Sequence, residues 1–151
     1  MGLQPGMRSS VTIVVTEADT AIAVGSGDLP VLATPRVLAL AEAAAVQAIA
    51  GALPDGQTLV GTAAELEHKL ASPLGTEVVV EAQLTDVADR RLTFRFTAVH
   101  GRPADPGVRV VVSEGTMQRV IVSRDRFVRS LQIARGPAIG GPSGPPAGPS
   151  A

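Results

Sequence analysis

Between Thr34 and Gly51 the chain reads T-P-R-V-L-A-L-A-E-A-A-A-V-Q-A-I-A-G, an almost unbroken apolar run with one acid in its middle. Thr34 is suited to an N-cap, because its hydroxyl can accept from a free N–H of the first turn. Pro35 suits the first helical position, where no N–H is needed. Gly51 suits the left-handed position just past the end. Only Arg36, Glu42 and Gln47 are polar between these signals. A helix apolar on nearly every face belongs in an interior, and this one is too short to span a bilayer. Glu42 is thus a carboxylate inside a helix that otherwise leaves water, and it is the first candidate functional residue.

Composition removes several classes of function. A chain of 151 residues, 45% hydrophobic and 18% charged, is expected to form one domain with a real core. Its net charge of −1 offers no electrostatic footprint for nucleic acid or an anionic membrane. With no Trp, no Tyr and three Phe there is no platform for stacking bases. The absence of Cys excludes disulfides, thiolate catalysis and Cys-based metal sites, and two His do not make a His-rich zinc site. No metal and no cofactor is expected. No basic-then-apolar leader opens the sequence, so a soluble cytoplasmic protein is expected.

Along the chain, 1–6 reads as a flexible start. Ser10 to Thr16 is β-branched and predicts a strand, and Thr20 to Val24 a second short one. Gly25 to Pro30 is a turn-rich loop leading into the helix. From Leu59 to Ala71 the period changes to two: Thr62, Ala64, Leu66, His68 and Leu70 share one face, and Glu65, Glu67 and Lys69 the other, a solvated one. His68 then points with the apolar set towards whatever the sheet covers. Three further strands are expected over Glu77 to Asp86, Arg91 to Val99 and Val108 to Val122, with Gly115 a bulge or close-approach point. A short helix over Ser123 to Ile133 follows. The segment 134–151 is mostly Gly, Pro, Ser and Ala and is expected to be a disordered tail. Consecutive long strands with short links make an antiparallel sheet, so the layout is α+β, one helix on one curved sheet. One sheet covers only part of such a helix, and a homodimer is expected to cover the rest.

Three pieces of the sequence resemble the fluoroacetyl-CoA thioesterase group of hotdog-fold acyl-CoA thioesterases. L-A-T-P-R-V-L-A-L-A-E-A-A is similar to that group's helix start, with Thr34 and Glu42 separated by seven residues. V-G-T-A-A-E-L-E-H-K-L-A-S-P-L-G resembles its Gly-Thr…His…Pro-x-Gly strand and turn, through Gly61, Thr62, His68, Pro73 and Gly75. S-E-G-T-M-Q-R-V-I-V resembles its Gly-Thr-x-x-Arg ending, through Gly115, Thr116 and Arg119. The resemblance spans 7–133. It implies a long central helix wrapped by five to six antiparallel strands, hydrolysis of a small or medium acyl-CoA, and a catalytic set falling on Thr34, Glu42 and His68. A carboxylate can serve as nucleophile or as general base for water, a His near neutrality can move the proton, and Gly61 and Thr62 suit close backbone approach to substrate. The group's aromatic lid before the helix has no counterpart over 25–33, so fluoroacyl selectivity is not implied.

Without the resemblance, each residue has a plainer explanation. Glu42 is also a structural acid paired across an interface, His68 a satisfied core histidine, and Thr34 only a cap. His100, ending a strand, reads as a surface residue, and the arginines at 90, 91, 95, 102, 109 and 119 as solvating charge. Two other functions stay open: a non-catalytic acyl-CoA or acyl-carrier-protein binding module, and a structural dimerisation domain. In a straight helix Thr34 and Glu42 lie ~12 Å apart along the axis. They therefore act through a bend, a bridging substrate or a partner chain.

Overall fold

The computed structural model describes residues 2–102 and 104–134. Strand β1 (Arg8–Val14) leads through a 3-10 turn (Glu17–Asp19) to the short helix α1 (Ala21–Val24) and the long helix α2 (Thr34–Ala48). Strands β2 (Gln57–His68), β3 (Glu77–Ala88), β4 (Arg91–Arg102) and β5 (Asp105–Ser123) follow, and helix α3 (Arg124–Ala134) ends the described chain. All five strands form one antiparallel sheet in the order β1-β3-β4-β5-β2. This is the expected α+β layout, with five strands. No helix among the described residues is long and apolar enough to cross a membrane. Residues 135–151, where the tail is expected, lie outside the described residues. Within 2–6, the Gly6 N–H donates to the Leu84 carbonyl at 2.8 Å and Leu3 packs against the core.

Strict alternation builds the core. Val78, Val80, Ala82 and Leu84 of β3, with Leu92, Phe94, Phe96 and Ala98 of β4, all point to one face and are buried. Val37, Leu40, Ala41, Ala44 and Ala45 of α2 meet them. Intervening residues such as Glu81, Gln83, Arg91 and Arg95 stay exposed on the outer face. The helix lies chiefly over β1 and β3. Its other side, with Ala39, Ala43 and Val46, faces solvent, and β2 forms an edge.

Several expectations need correction. Thr20 to Val24 is not a strand: the Thr20 hydroxyl accepts from Ala23 N–H at 3.2 Å and caps a helical turn there. Ala33, not Thr34, is the N-cap of α2, and Thr34 is its first helical residue. The helix is capped by Ile49, and Gly51 takes its φ of +81° in the turn beyond. β2 stops at His68, and a bulge between Gly61 and Ala63 sets Thr62 outside the regular alternation. His100 is not at the surface. It is buried at the end of β4, with Nδ1 2.9 Å from the hydroxyl of fully buried Ser72. Gly115 is a close-approach point: a β-carbon there would lie 2.0 Å from the Glu65 carbonyl oxygen.

Candidate active site

The start of α2 and the end of β2 meet at the Thr34 hydroxyl and His68 Nδ1, 2.8 Å apart. Backbone bonds impose the meeting. Leu32 N–H donates to the Ser72 carbonyl at 2.9 Å, tying the chain before α2 to the chain after β2. Lys69 and Leu70 N–H both donate to the Val112 carbonyl, at 2.7 and 3.2 Å, carrying β2 past its last paired residue. Ser72 is in turn held by buried His100.

A buried carboxylate fixes the other side. The Asp19 side chain accepts from Arg36 Nε at 2.8 Å, from Thr16 N–H at 2.9 Å and from the Thr16 hydroxyl at 3.0 Å. Its backbone carbonyl accepts from Ala33 N–H at 2.9 Å. Ala33 has no side chain able to cap, so Asp19 secures the helix start from outside, where negative charge is also favoured. Burial raises the Asp19 carboxyl, but the Thr16 N–H, the Arg36 guanidinium and the Thr16 hydroxyl outweigh it, leaving the group below its ordinary range.

Burial lowers the His68 imidazole below its usual 6.5, opposed in part by the nearby Leu70 backbone, so the ring is neutral at pH 7. The other ring nitrogen, Nε2, is buried without a hydrogen-bond partner among the described residues, and it carries the ring proton in the tautomer in which Thr34 donates to Nδ1. Thr34 and His68 border a cleft of about 360 Å³ whose walls include Ala21, Leu29, Val31 and Leu70 and no Phe, Tyr or Trp side chain.

Glu42 lies two turns along α2, beside a different hollow. That hollow, about 250 Å³, is bordered by Leu38, Gly61, Thr62, Met117 and Arg119 as well as Glu42. The Glu42 carboxylate accepts from the Arg119 guanidinium of β5. Arg119 is 10% exposed by its side chain and Glu42 40%, so the pair is only part-desolvated. Gly61 faces Glu42 directly, and Thr62 turns its hydroxyl to the Gln118 carbonyl at 3.2 Å. Within one chain, then, Thr34 and His68 are in contact, Glu42 groups with Gly61 and Thr62, and no three-way contact forms. Arg119 is not the solvating charge expected of it. Its parity along β5 signals this, since Met117 and Arg119 both point inward. No group of three His, Cys, Asp or Glu side chains able to hold a metal occurs among the described residues.

The profile described as fluoroacetyl-CoA-specific thioesterase (FlK) matches residues 15–125. The fluoroacetyl-CoA thioesterase of Streptantibioticus cattleyicolor is 34% identical over 97 residues, 64% of this chain and 65% of that protein. The chain thus spans a little under two thirds of the length of that relative. A solved variant of the fluoroacetyl-CoA thioesterase FlK in complex with acetyl-CoA superposes with a TM-score of 0.76 at 28% identity, over 87% of this chain and 98% of that one. A hot-dog-like protein from Thermanaerovibrio acidaminovorans superposes equally well, 0.76, at 22% identity over 89% of this chain and 94% of its own, and speaks for the hotdog fold. With the profile covering well over half of its length, the chain belongs to the fluoroacetyl-CoA-specific thioesterase family of hotdog proteins.

Proposed function

We propose that this chain hydrolyses the thioester of a small or medium acyl-CoA, giving the free acid and CoA, and does so as a cytoplasmic homodimer without a cofactor. The observation that carries the reading is the Thr34–His68 contact beside an open, largely apolar cleft. An acyl group fits such walls, and a polar pair beside them suits the carbonyl. Water adds to the carbonyl carbon, the C–S bond breaks, and the departing thiolate takes a proton. Glu42 acts as general base for that water, or as the nucleophile that first forms an acyl-enzyme anhydride. Neutral His68 relays the proton, and Thr34 holds the ring and polarises the carbonyl. The backbone at Gly61 and Thr62 lies against substrate. Relatives named for fluoroacetyl-CoA support the CoA thioester as substrate. Their halogen preference is not carried over, because no Phe, Tyr or Trp side chain borders the cleft.

An unpaired edge supports the dimer. β2 is 12 residues long, pairs with β5 on one side only, and lies beside the solvent-facing side of α2. Long bare edges are normally covered. Two copies joined β2 to β2 run antiparallel and bring two helices and two sets of site residues together.

The test is thiol release from a panel of acyl-CoAs, read with a thiol-reactive dye that a cysteine-free protein does not consume. Release that disappears in Glu42→Ala, with the dimer intact, is the expected result. Full activity in that variant would remove Glu42 from the chemistry. The separation of Glu42 from the Thr34–His68 pair favours one second reading, a non-catalytic module binding acyl-CoA or acyl carrier protein. That module binds thioesters in a titration and releases no thiol from any of them.

A further inference from the structure

Helix α3 leaves its apolar face bare. Phe127 is 39% exposed, Val128 47% and Leu131 52%, a stripe at i, i+1 and i+4. The other two phenylalanines, Phe94 and Phe96, are buried in the core. An isolated helix of 11 residues is marginal in water, so a surface that takes up this stripe is what would hold α3 helical. The start of α3 is fixed: Arg124 N–H donates to the Gly56 carbonyl at 2.8 Å, beside the first residue of β2.

The second bare apolar surface lies at the opposite end of β2. Leu29 and Leu70, both exposed, flank the Thr34–His68 cleft just past the last residue of the strand. The two surfaces cannot meet within one chain, because β2 separates them by ~40 Å at ~3.3 Å per residue. Antiparallel pairing of β2 with its copy removes that distance, since it sets Gln57 of one strand near His68 of the other. The neighbouring strand is then only ~4.8 Å away, and α3 is ~16 Å long. Charge agrees with the placement. α3 carries Arg124, Arg126 and Arg129 against one acid, Asp125, while the far half of β2 carries Glu65 and Glu67 and the cleft rim Asp28. Lys69 at that rim is already engaged by Glu114 at 2.6 Å.

We infer that α3 of each copy lies across the Thr34–His68 cleft of the other, its Phe127, Val128 and Leu131 face meeting the exposed Leu29 and Leu70. The cleft of one chain is then completed by the second copy. This rests on the dimer proposed above.

Because the chain has no cysteine, placed cysteines report proximity directly. Val128→Cys and Leu70→Cys are made in separate, differently tagged full-length chains, mixed, allowed to exchange and treated with a short bis-maleimide. Leu131→Cys with Leu29→Cys is a second pair, and Ala63→Cys alone is the control, near the middle of the β2 edge. Cross-linked heterodimer from at least one α3–cleft pair is the expected result. Cross-linking of the Ala63→Cys control with none from either pair overturns the α3 placement and leaves the dimer standing. A control that does not cross-link, in a chain that sediments as a monomer, overturns the dimer and this inference together.

Discussion

A β-carbon at Gly61 would lie 3.0 Å from Glu42 Oε2 and 3.6 Å from the Arg119 guanidinium. The ion pair thus occupies the space a side chain would fill. Gly61→Ala forces the carboxylate aside by a few tenths of an ångström, and misplacement on that scale is costly to chemistry. We expect Gly61→Ala to lower kcat by roughly ten- to a hundredfold, about 1.4–2.7 kcal/mol of barrier, with the melting temperature nearly unchanged. Steady-state kinetics beside a thermal melt separates the two effects, and an unchanged kcat would show that Glu42 tolerates the shift.

Arg119→Met keeps the length of the side chain and removes its charge. Glu42 then faces the hollow without its partner, and removing one member of a part-buried pair leaves the other uncompensated. The expected outcome is a loss of about 1–3 kcal/mol in stability together with a fall in kcat. Glu42→Gln placed on top of Arg119→Met restores much of the stability and none of the activity. Urea unfolding of the two single variants and the double one closes the cycle.

On the role proposed for it, His68 sets the acid limb of activity. The base form is the neutral ring, and burial lowers its pKa below 6.5. Activity therefore persists as pH falls through 6.5 and declines only below it. Thr34→Ala removes the ring's partner and lowers kcat by about tenfold or more, and Thr34→Ser, which keeps the hydroxyl, recovers most of it. The same rings contribute to stability with a defined sign. His68 and His100 are both lowered by burial, so the unfolded chain binds protons more readily than the folded one. Their contribution is present above pH 6.5 and is lost as pH falls from there towards their folded values. Melting temperature between pH 7.5 and 5 measures it, and Ser72→Ala, which strips His100 of its hydroxyl, lowers the whole curve.

Asp19 makes the helix start rigid from a distance. Asp19→Ala leaves Arg36 Nε, the Thr16 N–H and the Thr16 hydroxyl without their acceptor, at about 1–3 kcal/mol, while the Ala33 N–H keeps its bond to the backbone carbonyl at position 19. Because Thr34 follows directly, we expect kcat to fall while KM changes little. Its carboxyl is held below the ordinary range, so its stabilisation is present above pH ~4 and is lost as pH falls through the folded value. Equal unfolding of wild type and Asp19→Ala at pH 7 would show that the three hydrogen bonds contribute nothing.

The long helix and the antiparallel sheet were legible in the sequence, because period and parity report which residues share a face. The grouping of Thr34 with His68 came only from the family resemblance, which grouped Glu42 with them, whereas within one chain Glu42 stands apart. What escaped depended on tertiary contacts. One miss was local instead: Thr20 to Val24 is β-branched at both ends, yet the Thr20 hydroxyl caps a helical turn through Ala23, three residues on. His100 looks polar and terminal, yet Ser72, distant in sequence, takes it into the core. Arg119 sits among scattered arginines; its parity with Met117 turns it inward, but its pairing with Glu42 of α2 is a contact between residues far apart in sequence.

The bulge at Thr62 has one more consequence. Gly61 and His68 are seven apart, an odd number, and a regular strand would turn one towards the helix and the other to solvent. One residue taken out of phase between Gly61 and Ala63 lets both point inward, paired with Arg119 and Ser113 of β5. The spacing between the two halves of the site is therefore counted in residues as well as in ångströms. Deleting Thr62 makes the spacing six and leaves both halves inward on a regular strand, whereas inserting one residue between Ala63 and His68 turns one half of the site out of the molecule.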